Sequence, residues 1–188
     1  MDTAREIIIE IENQLDFLMN ARSVFPHLTN RMVGRTQFET PPFYQIRGFN
    51  ITFNFAQPLT ENDVTRISAI GHWINQNYVI RLCAILEANG IILKKEKGKI
   101  NNQLEGHKEV DIVRRLRNQF AHSSGRYNPS DPDKRKLYRR LVDHFGIHEN
   151  AQPIDSATDY PVSIDTILMP LTKGCIDYIL ALHEQDDA

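Results

Sequence analysis

The sequence is short of the features that define several common protein classes. Its 188 residues include only two cysteines, Cys83 and Cys175, which are too few for a disulfide-based scaffold. No apolar run approaches the roughly 20 residues that a membrane-spanning helix needs. A glycine-rich phosphate loop and a nucleophile elbow are both missing. We therefore expect reduced thiols, a cytoplasmic location and a chemistry that uses neither of these motifs.

The chain as a whole also lacks a strong excess of positive or negative charge. The net charge of −2 argues against a protein that binds nucleic acid over its whole surface. The segment 108–140 is the exception, because it holds ten basic and four acidic side chains, a net charge of +6. An anionic partner is therefore expected to bind this segment.

Apolar residues at helical spacing, with charged residues between them, predict an all-α fold. Short connections favour an up-and-down bundle, and the length fits one domain over residues 1–188. Thr60 with Asp63 resembles a capping box, Ser130 or Asp131 is a candidate N-cap, and Gly146 is a stop signal. These signals predict five helices at about 3–21, 60–89, 109–122, 131–145 and 163–184.

Two segments between the helices carry other patterns. Phenylalanine and isoleucine alternate with polar residues near 49–55, which predicts a short extended or strand-like arm packed on the bundle or on a partner subunit. Residues 94–106 are polar and are predicted to form a mobile loop. Pro170 is expected either to kink the last helix or to begin its main body.

The segment 114–122, with the sequence RRLRNQFAH, concentrates phosphate-binding and proton-transferring groups. Arg117 and His122 are five residues apart, so on a straight helix they differ by about 140° and about 7.5 Å along the axis. Their side chains would not meet within one chain. Asn118 and His122 are four apart and share a face, so Asn118 is predicted to support the imidazole or the local backbone.

The spacing Arg117-Asn118-x3-His122, near the end of a basic helix, resembles the signature of HEPN domains (higher eukaryotes and prokaryotes nucleotide-binding). The resemblance implies a helical homodimer that brings two such motifs together. It also implies metal-independent cleavage of RNA in the active members, with no cofactor and no metal. A toxin or antiviral defence role, with an antitoxin or regulatory protein as a possible partner, follows from the family rather than from these residues.

The predicted site has catalytic and substrate-binding parts. Two copies of His122 are expected to act as base and acid on RNA, while Arg117 holds the scissile phosphate and Asn118 supports the site. The predicted contacts to the RNA substrate are Arg114, Arg115, Ser123, Arg126 and Tyr127.

Several alternatives remain open at this stage. In one alternative, Arg117 pairs with a carboxylate of the fourth helix or a loop while His122 only caps its helix. In another, the HEPN fold binds nucleotide or RNA without cleaving it. The Arg-x4-His spacing recurs at Arg22 and Arg139, in a turn with Pro26 and on the fourth helix. Zinc-like spacing at His144-x3-His148 lacks further ligands. Trp73, Asn75, Gln76 and Asn77 form a polar-aromatic patch that could hold bases or belong to ordinary packing.

Overall fold

The computed structural model describes residues 3–26, 28–40, 51–92, 100–123, 125–128, 130–147 and 160–186. These residues contain five helices: α1 (Ala4–Val24), α2 (Glu61–Ala88), α3 (His107–Ser123), α4 (Pro132–Phe145) and α5 (Leu168–Asp186). Four short strands, β1 (Gln37–Glu39), β2 (Thr52–Asn54), β3 (Arg126–Tyr127) and β4 (Tyr160–Pro161), pair antiparallel as β1 with β2 and β3 with β4. The predicted all-α class with a short strand-like segment is thereby confirmed. None of the described helices combines the length and apolar character needed to cross a membrane.

Local side-chain chemistry explains where the helices begin and end. The Asp63 carboxylate accepts from the Thr60 backbone N–H at 3.0 Å, and the Thr60 hydroxyl accepts from the Asp63 N–H at 3.2 Å. The Asp131 side chain caps α4 by accepting two backbone N–H bonds from its first turn. Gly146 ends α4 in the left-handed conformation with φ 64°. Pro170 is the third residue of α5, within the first turn, where its missing backbone N–H costs no helical hydrogen bond.

The chain divides into two compact units, Asn13–Tyr78 and the pair of segments Met1–Glu12 with Val79–Ala188. The sequence prediction of one domain over 1–188 stays a prediction beside this division. In the unit Asn13–Tyr78, β1 and β2 form an antiparallel pair next to a small apolar core. Phe38 of β1 stacks on Phe53 and Phe55, with ring centroids 5.0 and 5.8 Å apart. The predicted arm is thus a strand packed within its own unit, while its first residues, 49 and 50, lie outside the described residues.

The second unit contains α3, which contacts both α4 and α5. Its apolar face is buried at Val110, Val113 and Leu116. Arg140 of α4 contacts Asp111 near the start of α3, and Lys134 lies by the hollow lined by Leu116 and Gln119 further along. Since high numbers on α4 lie opposite low numbers on α3, the two helices run antiparallel. This arrangement fixes which α4 residues flank the candidate site's helix.

The segment 100–106, which precedes α3, is anchored to α5. The Tyr178 hydroxyl accepts a hydrogen bond from the Asn101 backbone N–H at 2.9 Å, and Leu104 is buried. Gly106 has φ 77°, and a Cβ on it would lie 1.9 Å from the Gly174 carbonyl oxygen. Residues 100–106 are thus a loop, as predicted, but one anchored to α5 rather than mobile. One buried leucine and one close glycine contact are too sparse to reveal this anchoring in a polar stretch of sequence. Residues 94–99 lie outside the described residues.

Candidate active site

The candidate catalytic residues lie on the last two turns of α3. The helix continues without interruption to Ser123, so Arg117 and His122 belong to one helix, as the sequence predicts. His122 is exposed in the last turn. Within the described ranges, no hydrogen bond or ion pair engages its imidazole. The ring is therefore open to a ligand or to a second copy of the chain.

Arg117 is held from two sides. Its Nη1 donates a hydrogen bond to the Asn118 Oδ1 at 3.0 Å, and its Nη2 lies 3.9 Å from Oε2 of Glu87 on α2. The side chain remains 36% exposed. An ion pair that long and that exposed contributes roughly 0–1 kcal/mol to stability. Glu87 therefore helps to position the guanidinium but neutralises little of its charge. The acidic neighbour comes from α2 and not from the fourth helix or a loop.

Asn118 acts on a different partner from the one predicted. The helical spacing of four pointed to His122, but the Asn118 carbonyl oxygen accepts from Arg117, its sequence neighbour. A guanidinium offers five N–H donors in a fork, so it reaches an adjacent amide oxygen readily. Asn118 thus positions the arginine in this structure.

Arg114 and Arg115, both predicted to contact substrate, bind the protein's own Asp111. The contacts measure 2.8 Å from Arg114 Nη2 and 2.7 Å from Arg115 Nε, and Arg140 of α4 adds a third at 2.5 Å. Partial burial would raise the pKa of the Asp111 carboxyl, but hydrogen bonds and charge from Arg115 and Arg114 outweigh burial and lower it. Three arginines share one carboxylate, so the cluster keeps a positive charge while its guanidinium groups are constrained.

The three remaining predicted contacts differ in exposure. Arg126 is exposed on β3, and its backbone carbonyl accepts from the Gln119 side chain at 3.3 Å. Tyr127 is fully buried and packs on Tyr138 of α4, with ring centroids 4.8 Å apart. The prediction that Tyr127 contacts the substrate is therefore wrong, because its ring belongs to the core. Ser123 is the last residue of α3, and its side chain lies outside the described residues.

Two acids that shape the site were missed by the sequence reasoning. Asp111 precedes Arg114 and Arg115 by three and four residues, which is the spacing of helical ion pairs and could have revealed the contact. Glu87 lies on another helix, 30 residues before Arg117, and no local pattern announces it. Long-range partners of this kind need the tertiary structure.

The remaining candidates from the sequence are a histidine pair with zinc-like spacing and a polar-aromatic patch. Across the residues that the structure describes, no group of three His, Cys, Asp or Glu side chains could hold a metal ion. His144 contacts the Glu109 carboxylate through Nε2, and His148 lies outside the described residues. In the other unit, Trp73 is 64% exposed whereas Asn75 is fully buried, so the predicted polar-aromatic patch is not one continuous surface.

No protein-family model, no curated protein and no solved structure matches the chain. The likeness to HEPN domains therefore rests on the residues of α3 and on the helical class.

Proposed function

We propose that this protein is a metal-independent endoribonuclease of the HEPN type, with a composite active site formed by two copies of the chain. One observation carries the proposal: an exposed imidazole and a positioned, partly exposed guanidinium lie on the last two turns of one helix. His122 can transfer protons, and Arg117 can bind a phosphate through two N–H groups. The resemblance of the motif supplies the reaction class.

A second copy of the chain is part of the proposal for a geometric reason. Arg117 and His122 are separated by about 140° around α3 and about 7.5 Å along it, so they do not face one phosphate from the same helix. A two-fold axis near the end of α3 would bring two imidazoles and two guanidinium groups around one ribose-phosphate link.

The proposed reaction uses the 2′-hydroxyl of RNA as the nucleophile. One His122 removes the 2′-hydroxyl proton, the 2′-oxygen forms a bond to phosphorus, and the bond to the 5′-oxygen breaks. The second His122 protonates the departing 5′-oxygen, while Arg117 stabilises the charge on the non-bridging oxygens. The products are a 2′,3′-cyclic phosphate and a 5′-hydroxyl. DNA lacks the nucleophile and should not be cut.

The test is cleavage of a labelled single-stranded RNA in EDTA by the wild type, His122→Ala and Arg117→Ala. Loss of general acid-base catalysis should lower the rate about 10²- to 10⁴-fold for His122→Ala. His183→Ala is the matched control, because His183 also lies in the last turn of a helix. Arg81→Ala controls for Arg117→Ala, because Arg81 likewise pairs with a glutamate, Glu10, at 3.2 Å. Both controls should keep wild-type activity.

The outcomes separate the two functional classes. RNA binding without cleavage by the wild type would replace the enzyme with a non-catalytic HEPN binding module. A monomer that cleaves RNA at full rate would contradict the composite site. A toxin or defence role in the cytoplasm, restrained by an antitoxin or regulatory protein, belongs to the same proposal, since an unregulated ribonuclease damages its own cell.

A further inference from the structure

A second group of cations lies on α4, outside the candidate active site. Arg135, Lys136 and Arg139 are exposed, and Arg140 is half-buried. With Ser130, Pro132 and Asp143 they line a hollow of about 400 Å³. Leu137, Tyr138 and Leu141 occupy the buried face of the same helix, so the cations are gathered on its outer face.

A second hollow lies next to the first, toward the other end of α4. The second hollow has a volume of about 440 Å³ and is lined by residues of two helices, His107, Lys108 and Ile112 from α3 with Arg140, Asp143 and His144 from α4. Arg140 and Asp143 line both hollows, so the two adjoin. We call the joined feature the α4 groove. Its long wall, from Pro132 to His144, rises about 18 Å along the helix axis.

The charge of the α4 groove is strongly positive and largely uncompensated. In the part of the chain that the structure describes, no carboxylate pairs with Lys108, Arg135, Lys136 or Arg139. Asp143 is the one acid among the residues named as its lining. Arg140 is the exception among the cations, because it contacts Asp111. Since the whole chain carries a net charge of −2, this concentration is local.

The orientation of the groove connects it with the candidate active site. Because α4 runs antiparallel to α3, the Pro132 end of the groove lies toward the end of α3 that carries His122. After α3 ends near His122, the chain passes through β3, which pairs with β4, and the Asp131 cap then sets the start of α4. A strand lying in the groove would therefore lead toward His122.

We infer that the α4 groove binds the phosphate backbone of an RNA strand whose scissile link lies at the candidate active site. This inference rests on the proposed function. Arginine forks suit phosphate oxygens, and Lys108 adds a point charge at the far end. Among the described residues that line the groove there is no Phe, Tyr or Trp, so they offer no platform on which bases stack. It therefore contacts the backbone and holds RNA without choosing its sequence.

The test measures binding of a short fluorescent oligouridylate whose 2′-hydroxyls are all methylated, so that it cannot be cleaved by 2′-oxygen attack. Fluorescence anisotropy titrations compare the wild type with the triple variant Arg135→Gln, Lys136→Gln, Arg139→Gln. Losing about three phosphate contacts should weaken binding at least tenfold and reduce the slope of log affinity against log salt by about 2. A variant with Arg135→Lys and Arg139→Lys should keep most of the affinity, because it keeps the charge.

A charge-matched control excludes a general electrostatic effect. The triple variant Arg5→Gln, Arg31→Gln, Arg66→Gln removes the same charge from exposed positions outside the groove and should bind within about twofold of the wild type. Equal losses of RNA affinity in both triple variants, or no RNA binding by the wild type, would overturn the inference that the groove binds RNA.

Different experimental results would contradict the groove inference and the nuclease proposal. His122→Ala leaves the groove intact, so its affinity for the methylated RNA should fall far less than that of the groove variant. If the wild type never cleaves RNA but the groove variant loses binding, the nuclease proposal falls, and what stands is RNA binding by the groove without a scissile link at His122. If cleavage depends on His122 but the groove variant binds normally, the groove inference is overturned and the nuclease stands.

Discussion

Asp111 of α3 accepts a hydrogen bond from Arg140 of α4 at 2.5 Å, while Arg114 and Arg115 of its own helix hold the same carboxylate. The Asp111 side chain is 19% exposed and the Arg140 side chain 40% exposed, so the carboxylate is largely covered while the guanidinium still reaches solvent. It ties the helix of the candidate catalytic residues to the helix of the cationic groove.

Removing the Asp111 charge should destabilise the fold. Asp111→Asn leaves three arginines around a neutral amide, and a lost hydrogen bond to a charged group costs about 1.5–3 kcal/mol. The measurement is urea unfolding followed by circular dichroism. Asp177→Asn is the control: it breaks a pair whose Lys173 partner is 74% exposed, so solvent screens the pair and the expected loss of stability is much smaller. Equal effects of the two variants would contradict the central role of Asp111.

The same carboxylate should give the protein acid sensitivity. The arginines lower the Asp111 pKa in the folded state despite its partial burial, so the folded state binds that proton less readily than the unfolded chain. The stabilisation is therefore complete above the unfolded pKa, near ~3.9, and is lost as the pH falls through the lower folded value. The difference in unfolding free energy between wild type and Asp111→Asn should shrink in that window. A difference that is constant from neutral pH to about pH 2 would contradict this assignment.

Gly106→Ala should damage the attachment of α3 far more than Gly90→Ala. Both glycines have positive φ, 77° and 75°, so alanine is strained at both, by about 1–2 kcal/mol. A Cβ at position 90 meets nothing within 4 Å, whereas at position 106 it would lie 1.9 Å from the Gly174 backbone oxygen. Overpacking should add about 1–3 kcal/mol to the loss for Gly106→Ala. Thermal unfolding measures both variants, and similar melting temperatures would disprove the close approach.

The two cysteine thiols should resist alkylation in the native protein. Both are buried, and burial together with the Glu87 charge raises the pKa of Cys83 to about 11. At about pH 8 the reactive thiolate is then roughly one part in a thousand of Cys83. Burial also raises the pKa of Cys175. Mass spectrometry after brief iodoacetamide treatment should find no label on the folded protein and two on the protein unfolded in guanidinium. Rapid labelling of either cysteine in the native state would contradict this prediction.

Glu87→Gln should increase RNA cleavage if Arg117 holds the scissile phosphate. Glu87 Oε2 lies 3.9 Å from the Arg117 guanidinium and repels an incoming anion. An exposed pair of this kind is worth about 0.2–1 kcal/mol, so kcat/KM should rise by up to about fivefold. Glu10→Gln, which releases Arg81 in the same way, is the control and should change nothing. A fall in cleavage by Glu87→Gln would show that Glu87 mainly orients the arginine.

The sequence predicted the features of this protein that depend on neighbouring residues. The helix boundaries follow from caps such as the Thr60–Asp63 pair, Asp131 and Gly146, whose hydrogen bonds stay within a few residues. The strand at 52–54 follows from alternation of apolar and polar residues. Arg117 and His122 lie on one helix for the same local reason.

Features that depend on distant residues were not accessible from these patterns. Tyr127 follows the motif helix and carries a polar tip, but its pairing with Tyr138 across β3 and α4 makes it a core residue. The sequence predicts Arg114 and Arg115 as substrate contacts, whereas in the structure both pair with Asp111, which Arg140 also contacts. The basic segment 108–140 is evident as a cluster of charge in the sequence, whereas tertiary packing decides which of its cations pair with a carboxylate.

Trp73 is the sole tryptophan of the chain and is 64% exposed. An indole so open to water already emits much as it would in an unfolded chain, so intrinsic fluorescence will be a poor monitor of denaturation for this protein. The same openness makes it a natural reporter for docking at that surface, because any macromolecule that covers the ring will shift its emission toward the blue.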